Sequence, residues 1–457
     1  VAIEYPELKP LTDGEIIRFR LPKKDGVPEW PEIVTHKGIS AKRGQLDLSF
    51  IPIIWRDGKY WRIQSFTLKI HREALAGGMR VSAETERYAL HSKLATGRWV
   101  KIRVSDNGIH MLTHDYLKGM GFENLDKVRL YGYGGHLLSE SDPCLWRDDL
   151  CEVPLWRGTD RMLFYANGPV KWILKSDKTF SHVRNVYSDY AYYFLTEDIE
   201  GTPATIPMSE VPLEEHCDIV TTTPAYALHE IDDYAWYHGG RNLVEGYDYS
   251  KGNQQRYLLP THSVVSSADG MLEVCFTHNA PVSTTLSVSA NGLNIGAIQL
   301  NPISKDCEAS SSASSISMSL NGASDGQDVI LTYGSPSGIS GRLDYLRLSY
   351  TSNIGMSMPI YATSSGLKTY EVNAIDENAI VWCVTDSSSP IRMNTMRKGT
   401  KLYFTAMGNP GDMYIAFTSH ETYPIPELVG EVANQDLHAT PPTDYIIIVP
   451  ANGELIA

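Results

Sequence analysis

The chain has 457 residues, a length that predicts three or four domains rather than one compact core. Its formal net charge of -14 repels phosphate backbones, which excludes nucleic acid as an expected partner. No window approaches about 18 consecutive apolar residues, and Val1 to Pro10 lacks the basic start and apolar core of a signal peptide, so we expect a soluble, already processed chain.

Residues 1–90 predict a small antiparallel β domain. The chain's 26 tyrosines against 10 phenylalanines favour half-buried sheet positions, where one end of the ring stays hydrated. Period-two alternation of apolar and polar residues predicts strands at Ile16–Leu21, Leu46–Ile54 and Tyr60–Ile70. The segment Arg56 to Lys59 (RDGK) predicts a hairpin turn between the last two strands.

Residues 91–230 predict a mixed, mainly-β domain with one short helix. Strands are predicted at Trp99–Val104, Val128–Tyr131 and within Tyr187–Leu195. The segment Leu112 to Met120 predicts the helix. A threonine at position 113 is its expected N-cap, and a glycine at position 121 is its expected stop.

Residues 231–352 predict a β-sandwich. The strands expected from alternating apolar residues between turns are Gln255–Leu259, Leu272–Thr277, Thr284–Ala290, Asn294–Leu300, Gln327–Tyr333 and Arg342–Tyr350. The serine-rich stretch Ser310 to Ser319 alternates with apolar residues in SISMSL. This pattern fits an exposed edge strand at least as well as a flexible linker.

Residues 353–430 predict a second, small β-sandwich, with strands in AIVWCVTD, KLYFTA and MYIAFT. Residues 431–457 predict a linker that ends in Asp444–Pro450 (DYIIIVP), an apolar run typical of a strand buried on both faces of a parallel sheet. Parallel neighbours and crossover helices do not follow before Ala457, so we expect truncation. The predicted fold class is mainly β: several antiparallel β domains in tandem, including a β-sandwich, ending in the first strand of a missing α/β domain.

Eight phrases along the chain carry a family resemblance. They are Ser49–Ile70, Gly97–Phe122, Val128–Glu140, Met162–Trp172, Asn185–Asp198, Leu343–Tyr350, Ile380–Asp386 and Asn434–Pro450. Taken in this order, they resemble the N-terminal region of the gingipain-family cysteine peptidases that act as type IX secretion sortases. The phrases cover nearly the whole chain, and their combination is more specific than any one of them. One departure is Cys383, where the family more usually has Asp.

The resemblance implies that catalysis belongs to a caspase-like module beginning at about Asp444, with a thiol nucleophile assisted by a His. No catalytic, cofactor-binding or metal residue is then carried onto this chain, which is expected to be inactive alone. The full protein would process C-terminal secretion signals at the bacterial outer membrane, and this exported, cell-surface chain would be its accessory and interaction region. Implied partners are the missing catalytic domain, an outer-membrane barrel and cargo proteins with C-terminal sorting signals.

Two sequence features are similar to known motifs, but a structural role is favoured for each. His238 to Gly240 followed by Cys275 is similar to a caspase-type dyad. That dyad needs a parallel α/β platform, so we expect Cys275 to be a buried strand residue. Gly132, Gly134 and Gly135 follow a strand as in a phosphate loop, but HLLSESDP after them cannot open an anion-binding helix. We therefore expect a tight turn or bulge there.

Calcium is the one cofactor that the acidic residues of the sequence suggest. We favour the interpretation that these residues lie in solvated loops, because no segment has the ligand number of an EF-hand. The candidate ligands are the pair Asp148 and Asp149, the pair Asp232 and Asp233, and the loop from Asp325 to Asp328. None is assigned as a metal site. No other cofactor is expected.

Two further features leave alternatives open. Cys144 and Cys151 close a small loop and are either a structural disulfide or two free thiols. Tyr234 to Tyr237 (YAWY) either stacks on sugar rings or packs in a core, and core packing is favoured. Sugar stacking would suit the rival function, a stand-alone glycan-binding or adhesive surface protein with its site at about residues 235–350. A gene that continues with a His-Gly motif and a downstream Cys would favour the first function, whereas a stop codon after Ala457 would favour the rival.

Overall fold

The structure, a computed structural model, describes residues 2–19, 21, 27–31, 33–40, 43–69, 89–139, 147–214, 218–236, 240–304, 306–322, 326–441, 443–445 and 447. Strands dominate, and all strand pairings among these residues but one are antiparallel. The predicted mainly-β fold class with tandem antiparallel sheets is confirmed. The chain divides into two compact units, Val1–Arg87 (unit 1) and Tyr88–Ala457 (unit 2).

The described part of unit 1 holds five strands and a short helix. They are β1 Ala2–Pro10, α1 Asp13–Arg18, β2 Val34–Ser40, β3 Arg43–Ser49, β4 Ile53–Arg56 and β5 Lys59–Lys69. Strand β5 is the centre of a sheet ordered β1-β5-β4, and β2 pairs with β3. The predicted turn is confirmed, because Asp57 (φ 50°) and Gly58 (φ 72°) adopt the left-handed pair of conformations that a two-residue hairpin loop needs.

The predicted strand at Ile16–Leu21 is wrong, because α1 occupies its first half and the described residues after it form no strand. The cause is a capping box, in which Thr12 and Glu15 satisfy each other's free backbone donors. The N–H of Glu15 donates to Thr12 Oγ1 at 3.4 Å, and the N–H of Thr12 donates to Glu15 Oε2 at 2.9 Å. These contacts nucleate a helical turn that outweighs the local period-two alternation.

The predicted single strand at Leu46–Ile54 is two strands, β3 and β4, which pair with different partners. Pro52 lies at the break and has no N–H to donate to a ladder. Its carbonyl accepts the N–H of Ile63 at 2.9 Å. The proline therefore ends one pairing while helping to position the next.

Residues 89–230 of unit 2 contain many short strands. They are β6 Trp99–Val104, β7 Gly108–Thr113, β8 Arg129–Tyr131, β9 Glu152–Val153, β10 Trp156–Arg157, β11 Arg161–Ala166, β12 Val170–Leu174, β13 Phe180–Arg184, β14 Ala191–Thr196, β15 Ile219–Val220 and β16 Thr222–Glu230. The helices are α2, His114–Gly119, and the 3₁₀ turns Lys93–Ala95 and Leu125–Lys127. The predicted cap of α2 is confirmed, since Thr113 Oγ1 accepts the N–H of Tyr116 at 3.1 Å and Gly121 follows the helix with φ 88°.

The predicted sandwich strands are confirmed. They are β17 Gln254–Pro260, β18 Gly270–His278, β19 Thr284–Ala290, β20 Leu293–Leu300, β21 Ser310–Met318, β22 Gly326–Gly334 and β23 Gly341–Asn353. One sheet is ordered β16-β23-β18-β21 and the other β17-β22-β19-β20, with Phe276, Leu331 and Leu348 in the core between them. The serine-rich strand β21 pairs with β18 alone, which confirms the predicted edge strand.

The rest of unit 2 adds eight strands. They are β24 Pro359–Tyr361, β25 Gly366–Asn373, β26 Ala379–Cys383, β27 Ile391–Arg392, β28 Thr395–Lys398, β29 Lys401–Gly408, β30 Met413–Thr418 and β31 Glu427–Val432. Two four-stranded sheets form here, ordered β15-β25-β29-β28 and β24-β30-β26-β27. Strand β31, which crosses the predicted boundary at residue 430, returns to pair antiparallel with β6 in a sheet ordered β31-β6-β14-β8-β9.

Strand β11 lies in the middle of a stack of sheets. Its sheet, β10-β11-β7, buries Phe164 on one face in the core that contains Tyr193. On the other face, Tyr165 lies in a separate core with Trp382 and Phe417 of the β24-β30-β26-β27 sheet. Because successive side chains of a strand alternate between faces, one strand stabilises two cores at once.

The predicted last strand, Asp444–Pro450, is largely outside the described residues. The structure describes Asp444, Tyr445 and Ile447, none of them in a strand, and it leaves Tyr445 and Ile447 exposed. The first strand of an α/β module therefore stays a prediction. No described helix is long and apolar enough to cross a membrane.

Candidate functional site

The caspase-like interpretation of Cys275 is not favoured by its surroundings. Cys275 is buried in β18, as predicted, and its Sγ donates to Asp344 Oδ2 at 3.2 Å. Burial raises the pKa of this thiol, and the charge of Asp344 raises it further, which opposes thiolate formation. His238 lies outside the described residues.

The glycines of YGYGG form an irregular turn. Gly132 has φ 142° and Gly134 has φ 90°, conformations that favour glycine. A Cβ at position 134 would lie 2.5 Å from the Cβ of Asn167, whose carbonyl accepts the N–H of Gly135 at 3.1 Å. The described residues that follow, 136–139, form no helix, so the turn is confirmed and no anion site is built there.

The acidic pairs have mostly structural roles. Those that accept a hydrogen bond from a backbone N–H or a neighbouring arginine are Asp148 (Ala89), Asp149 (Lys93), Asp233 (Gly246) and Asp328 (Arg256). Asp325 lies outside the described residues. Asp232 differs from these, because it lies beside two other carboxylates, those of Glu230 and Asp344.

Cys151 is a free cysteine whose Sγ donates to a backbone carbonyl, while its predicted partner Cys144 lies outside the described residues. The rings of Tyr234 and Trp236 pack on the guanidinium of Arg342, with its carbon 3.5 Å and 5.7 Å from their centroids. This half-buried cluster is engaged within the sandwich, as the core-packing interpretation predicts. Tyr237, the last aromatic residue of the segment, is not among the described residues.

A Ser/His/Asp arrangement joins segments of unit 2 that lie far apart in the sequence, and spacing in the sequence did not indicate it. Ser92 Oγ lies 2.7 Å from His438 Nδ1, and His438 Nε2 lies 3.0 Å from Asp148 Oδ1. The carboxylate raises the pKa of His438. The N–H of Ser92 donates to Asp436 at 2.8 Å, so this amide is not available to hold an oxyanion. We call Ser92, Asp148, Asp436 and His438 the terminal clip.

A cleft of about 670 Å³ opens in unit 2 beside the hairpin of β12 and β13. Tyr165, Trp172, Tyr226 and Tyr361, from four separate strands, form its aromatic wall. Trp172 and Tyr226 stack with ring centroids 3.6 Å apart and planes inclined by 16°. Phe180 supports the wall, its ring centroid 4.9 Å from that of Tyr226 and 5.0 Å from that of Tyr361.

Polar residues complete the lining of the aromatic cleft. Burial lowers the pKa of His136 to about 4, with a contribution from Lys171, so the imidazole is neutral at pH 7. Its Nε2 is buried and has no hydrogen-bond partner. Arg147 lies 3.7 Å from Asp386 at the cleft. Burial raises the pKa of the three wall tyrosines, which therefore keep their hydroxyl protons.

The lining of this cleft suits binding rather than bond cleavage. The hydroxyl of Ser387, which lines the cleft, accepts a hydrogen bond from the side-chain amide of Asn167 at 2.6 Å. The aromatic wall can contact apolar side chains of a ligand. The imidazole of His136 and the side-chain amide of Asn167 can form hydrogen bonds with the backbone of a bound peptide. Sequence reasoning missed this site because its aromatic residues come from distant segments, although Trp172 closes one of the phrases on which the resemblance rests.

Comparisons with known proteins identify the fold. Dimeric latent PorU from Porphyromonas gingivalis matches with a TM-score of 0.71 and 24% identity, over 80% of this chain and 36% of the PorU chain. The chain thus has a PorU-like fold and spans about a third of the length of that protein. No family model and no curated protein matches the chain.

Other solved structures match only weakly. The CBM36-1 domain of a multidomain xylanase from the hindgut metagenome of Trinervitermes trinervoides has a TM-score of 0.19 and 11% identity, over 28% of this chain and 96% of that domain. The insecticidal delta-endotoxin Cry8Ea1 from Bacillus thuringiensis has a TM-score of 0.19 and 10% identity, over 48% of this chain and 41% of the toxin. Likenesses of this size carry no argument about function.

Proposed function

We propose that this chain is the non-catalytic accessory and interaction region of a sortase-like cysteine peptidase, which processes C-terminal secretion signals of cargo proteins at the bacterial outer membrane. The observation that carries the proposal is the PorU-like fold over 80% of the chain. The phrases distributed from Ser49 to Pro450 support the same assignment. The chain's partners are then the catalytic domain, an outer-membrane barrel and the cargo.

The contacts of the cysteines support a non-catalytic role. Among the described residues, no hydrogen bond joins a cysteine to a histidine. Cys275, the most buried of the described cysteines, is held as a thiol beside a carboxylate. Hydrolysis by this chain alone would need a nucleophile and base that these contacts do not provide.

The aromatic cleft is the surface that we propose for cargo. An extended segment of polypeptide can place apolar side chains on Trp172 and Tyr226, while Arg147 and Lys171 at the cleft attract acidic groups. Because the cleft holds no catalytic pair among its described residues, bound cargo would be positioned rather than cut. The catalytic domain would then act on a substrate that is already held.

The test combines binding and hydrolysis with the purified 457-residue chain. A cargo protein carrying its C-terminal sorting signal should bind and remain uncleaved. Replacing Trp172 with Ala should weaken binding about tenfold or more, since it removes an aromatic anchor from the cleft. Ile375→Ser is the matched control, because Ile375 is 87% exposed and does not line the cleft. Hydrolysis that stops on thiol alkylation, or binding of glycans but not cargo, would contradict the proposal.

A further inference from the structure

Three carboxylates meet where the hairpin of β12 and β13 reaches the sandwich. Glu230 is the last residue of β16, Asp232 follows it two positions later, and Asp344 lies on the neighbouring strand β23. One oxygen of each lies within 4.8 Å of the others. They line a second cavity of about 670 Å³ that also receives Asn242 and Ser310, which offer further oxygen atoms.

Glu230 carries an unused buried oxygen in this group. Its side chain is 8% exposed, and its Oε2 is buried without a hydrogen-bond partner. The other oxygen, Oε1, lies 3.4 Å from His182 Nε2. Arg347 can only donate to His182 Nδ1, so Nε2 carries the proton and donates to Oε1. Leaving Oε2 without a hydrogen bond in this buried position costs free energy, which a bound cation would recover.

The charges nearby do not balance the three carboxylates. Arg184 lies 3.1 Å from Asp232 Oδ2 but 3.8 Å from Glu230 Oε2, too far for a hydrogen bond, and it also pairs with Asp189. Arg347 is bonded to Glu273, outside the group. Arg241 also lines the cavity, and three carboxylates against the guanidinium groups of Arg184 and Arg241 still leave a net negative charge that attracts a cation.

We propose that Glu230, Asp232 and Asp344 bind a calcium ion. An oxygen-only ligand set selects a hard cation, and two ligands at about 2.3–2.6 Å from calcium can lie up to roughly 5 Å apart. Oxygen atoms that all lie within 4.8 Å of one another satisfy that limit, and three carboxylates favour calcium over magnesium, which keeps several waters and usually takes one or two carboxylates. The site does not depend on the accessory role proposed above. It would tie the hairpin side of the cavity to the sandwich.

The proposal is tested with calcium chloride and the whole chain, freed of metal with a chelator. Titration calorimetry should give one site with a Kd of about 10⁻⁴ to 10⁻³ M, the range of extracellular calcium modules, and calcium should raise the Tm while magnesium acts more weakly. Glu230→Gln and Asp344→Asn should each weaken binding about tenfold or more, because ligand charge sets calcium affinity. Asp328→Asn is the matched control in the same sandwich and should bind as the parent chain does.

The variant Arg184→Gln provides a further measurement of calcium affinity. A carboxylate group with only a structural role would show no change in this measurement. Removing this competing cation should tighten calcium binding about threefold or more, as the local negative charge rises. If circular dichroism shows that the carboxylate variants do not fold, the calcium affinity of Arg184→Gln still tests the proposal. Absence of calcium binding to the parent chain, unchanged affinity in folded Glu230→Gln and Asp344→Asn, or loss of binding in Asp328→Asn would each overturn the assignment. Equal binding of magnesium would overturn the choice of calcium.

Discussion

Replacing Phe180 with Ala should release the β12–β13 hairpin and with it one side of the aromatic cleft. The hairpin is a two-stranded sheet with no further partner strand among the described residues, and such a ribbon is marginally stable alone. Phe180 is 1% exposed and packs against Trp172, Tyr226 and Tyr361. Its N–H also donates to the hydroxyl of Ser349 at 3.0 Å.

The magnitude follows from the size of the lost side chain. Truncating a buried phenylalanine to alanine costs about 3–5 kcal/mol through lost transfer energy and the remaining cavity. That cost falls on the local equilibrium between a docked and an undocked hairpin, because Phe180 is its most buried anchor. Amides of residues 170–184 should therefore exchange with solvent roughly 10²- to 10⁴-fold faster, at about 1.4 kcal/mol for each factor of ten.

Hydrogen exchange measured by mass spectrometry provides the assay. Peptides from residues 170–184 should lose protection, while peptides from β18 and β23 in the sandwich core should keep theirs. Phe180→Leu is the control, and its cost should stay below about 1.5 kcal/mol because most of the volume is retained. Unchanged protection of residues 170–184 in folded Phe180→Ala would refute the view that this ring docks the hairpin.

Three further outcomes are expected. Asp148 raises the pKa of His438 above its ordinary value of 6.5. The ion pair between them therefore contributes its full stabilisation below pH 6.5, and this stabilisation is lost as the pH rises through the pKa of His438 in the folded state. An NMR titration should show this raised midpoint, and Asp148→Asn should bring it down. Gly134→Ala should lower the Tm because of a clash and a positive φ, whereas Gly119→Ala, with open space in α2, should stabilise by about 0.5–1 kcal/mol. Thr12→Ala should destabilise unit 1 by about 1 kcal/mol in denaturant titration, and an unchanged midpoint would contradict the capping box.

Local patterns predicted most strands, because a half-buried strand must alternate its side chains wherever it lies. The sandwich strands and the cap at Thr113 followed from such patterns. The helix α1 was missed because the alternation of Ile16–Leu21 was given more weight than the Thr12–Glu15 capping box, which is also visible in sequence. The apolar alternation of this segment favoured a strand, whereas the capping box favoured a helix. The helix forms because the box satisfies the backbone N–H groups of Thr12 and Glu15.

Long-range arrangement could not be predicted from one sequence. Strand β31 pairs with β6 from the far end of unit 2, and nothing in either segment specifies the other. The carboxylate group shows the same limit. Asp232 was a candidate through its neighbour Asp233, yet its partners in space are Glu230 and Asp344. Only the pairing of β16 with β23 brings those oxygens together.

The terminal clip has a consequence for how unit 2 can be rearranged. One carboxylate, that of Asp148, bonds both the N–H of Ala89 and the imidazole of His438, so these two residues, far apart in the sequence, lie close together in space. A short peptide joining residue 440 to residue 89 should therefore permit circular permutation, with new termini opened in the exposed turn at Asn409 and Pro410. By the same geometry, residues 89–440 should tolerate insertion into a loop of a host protein with little separation of the host's flanking residues.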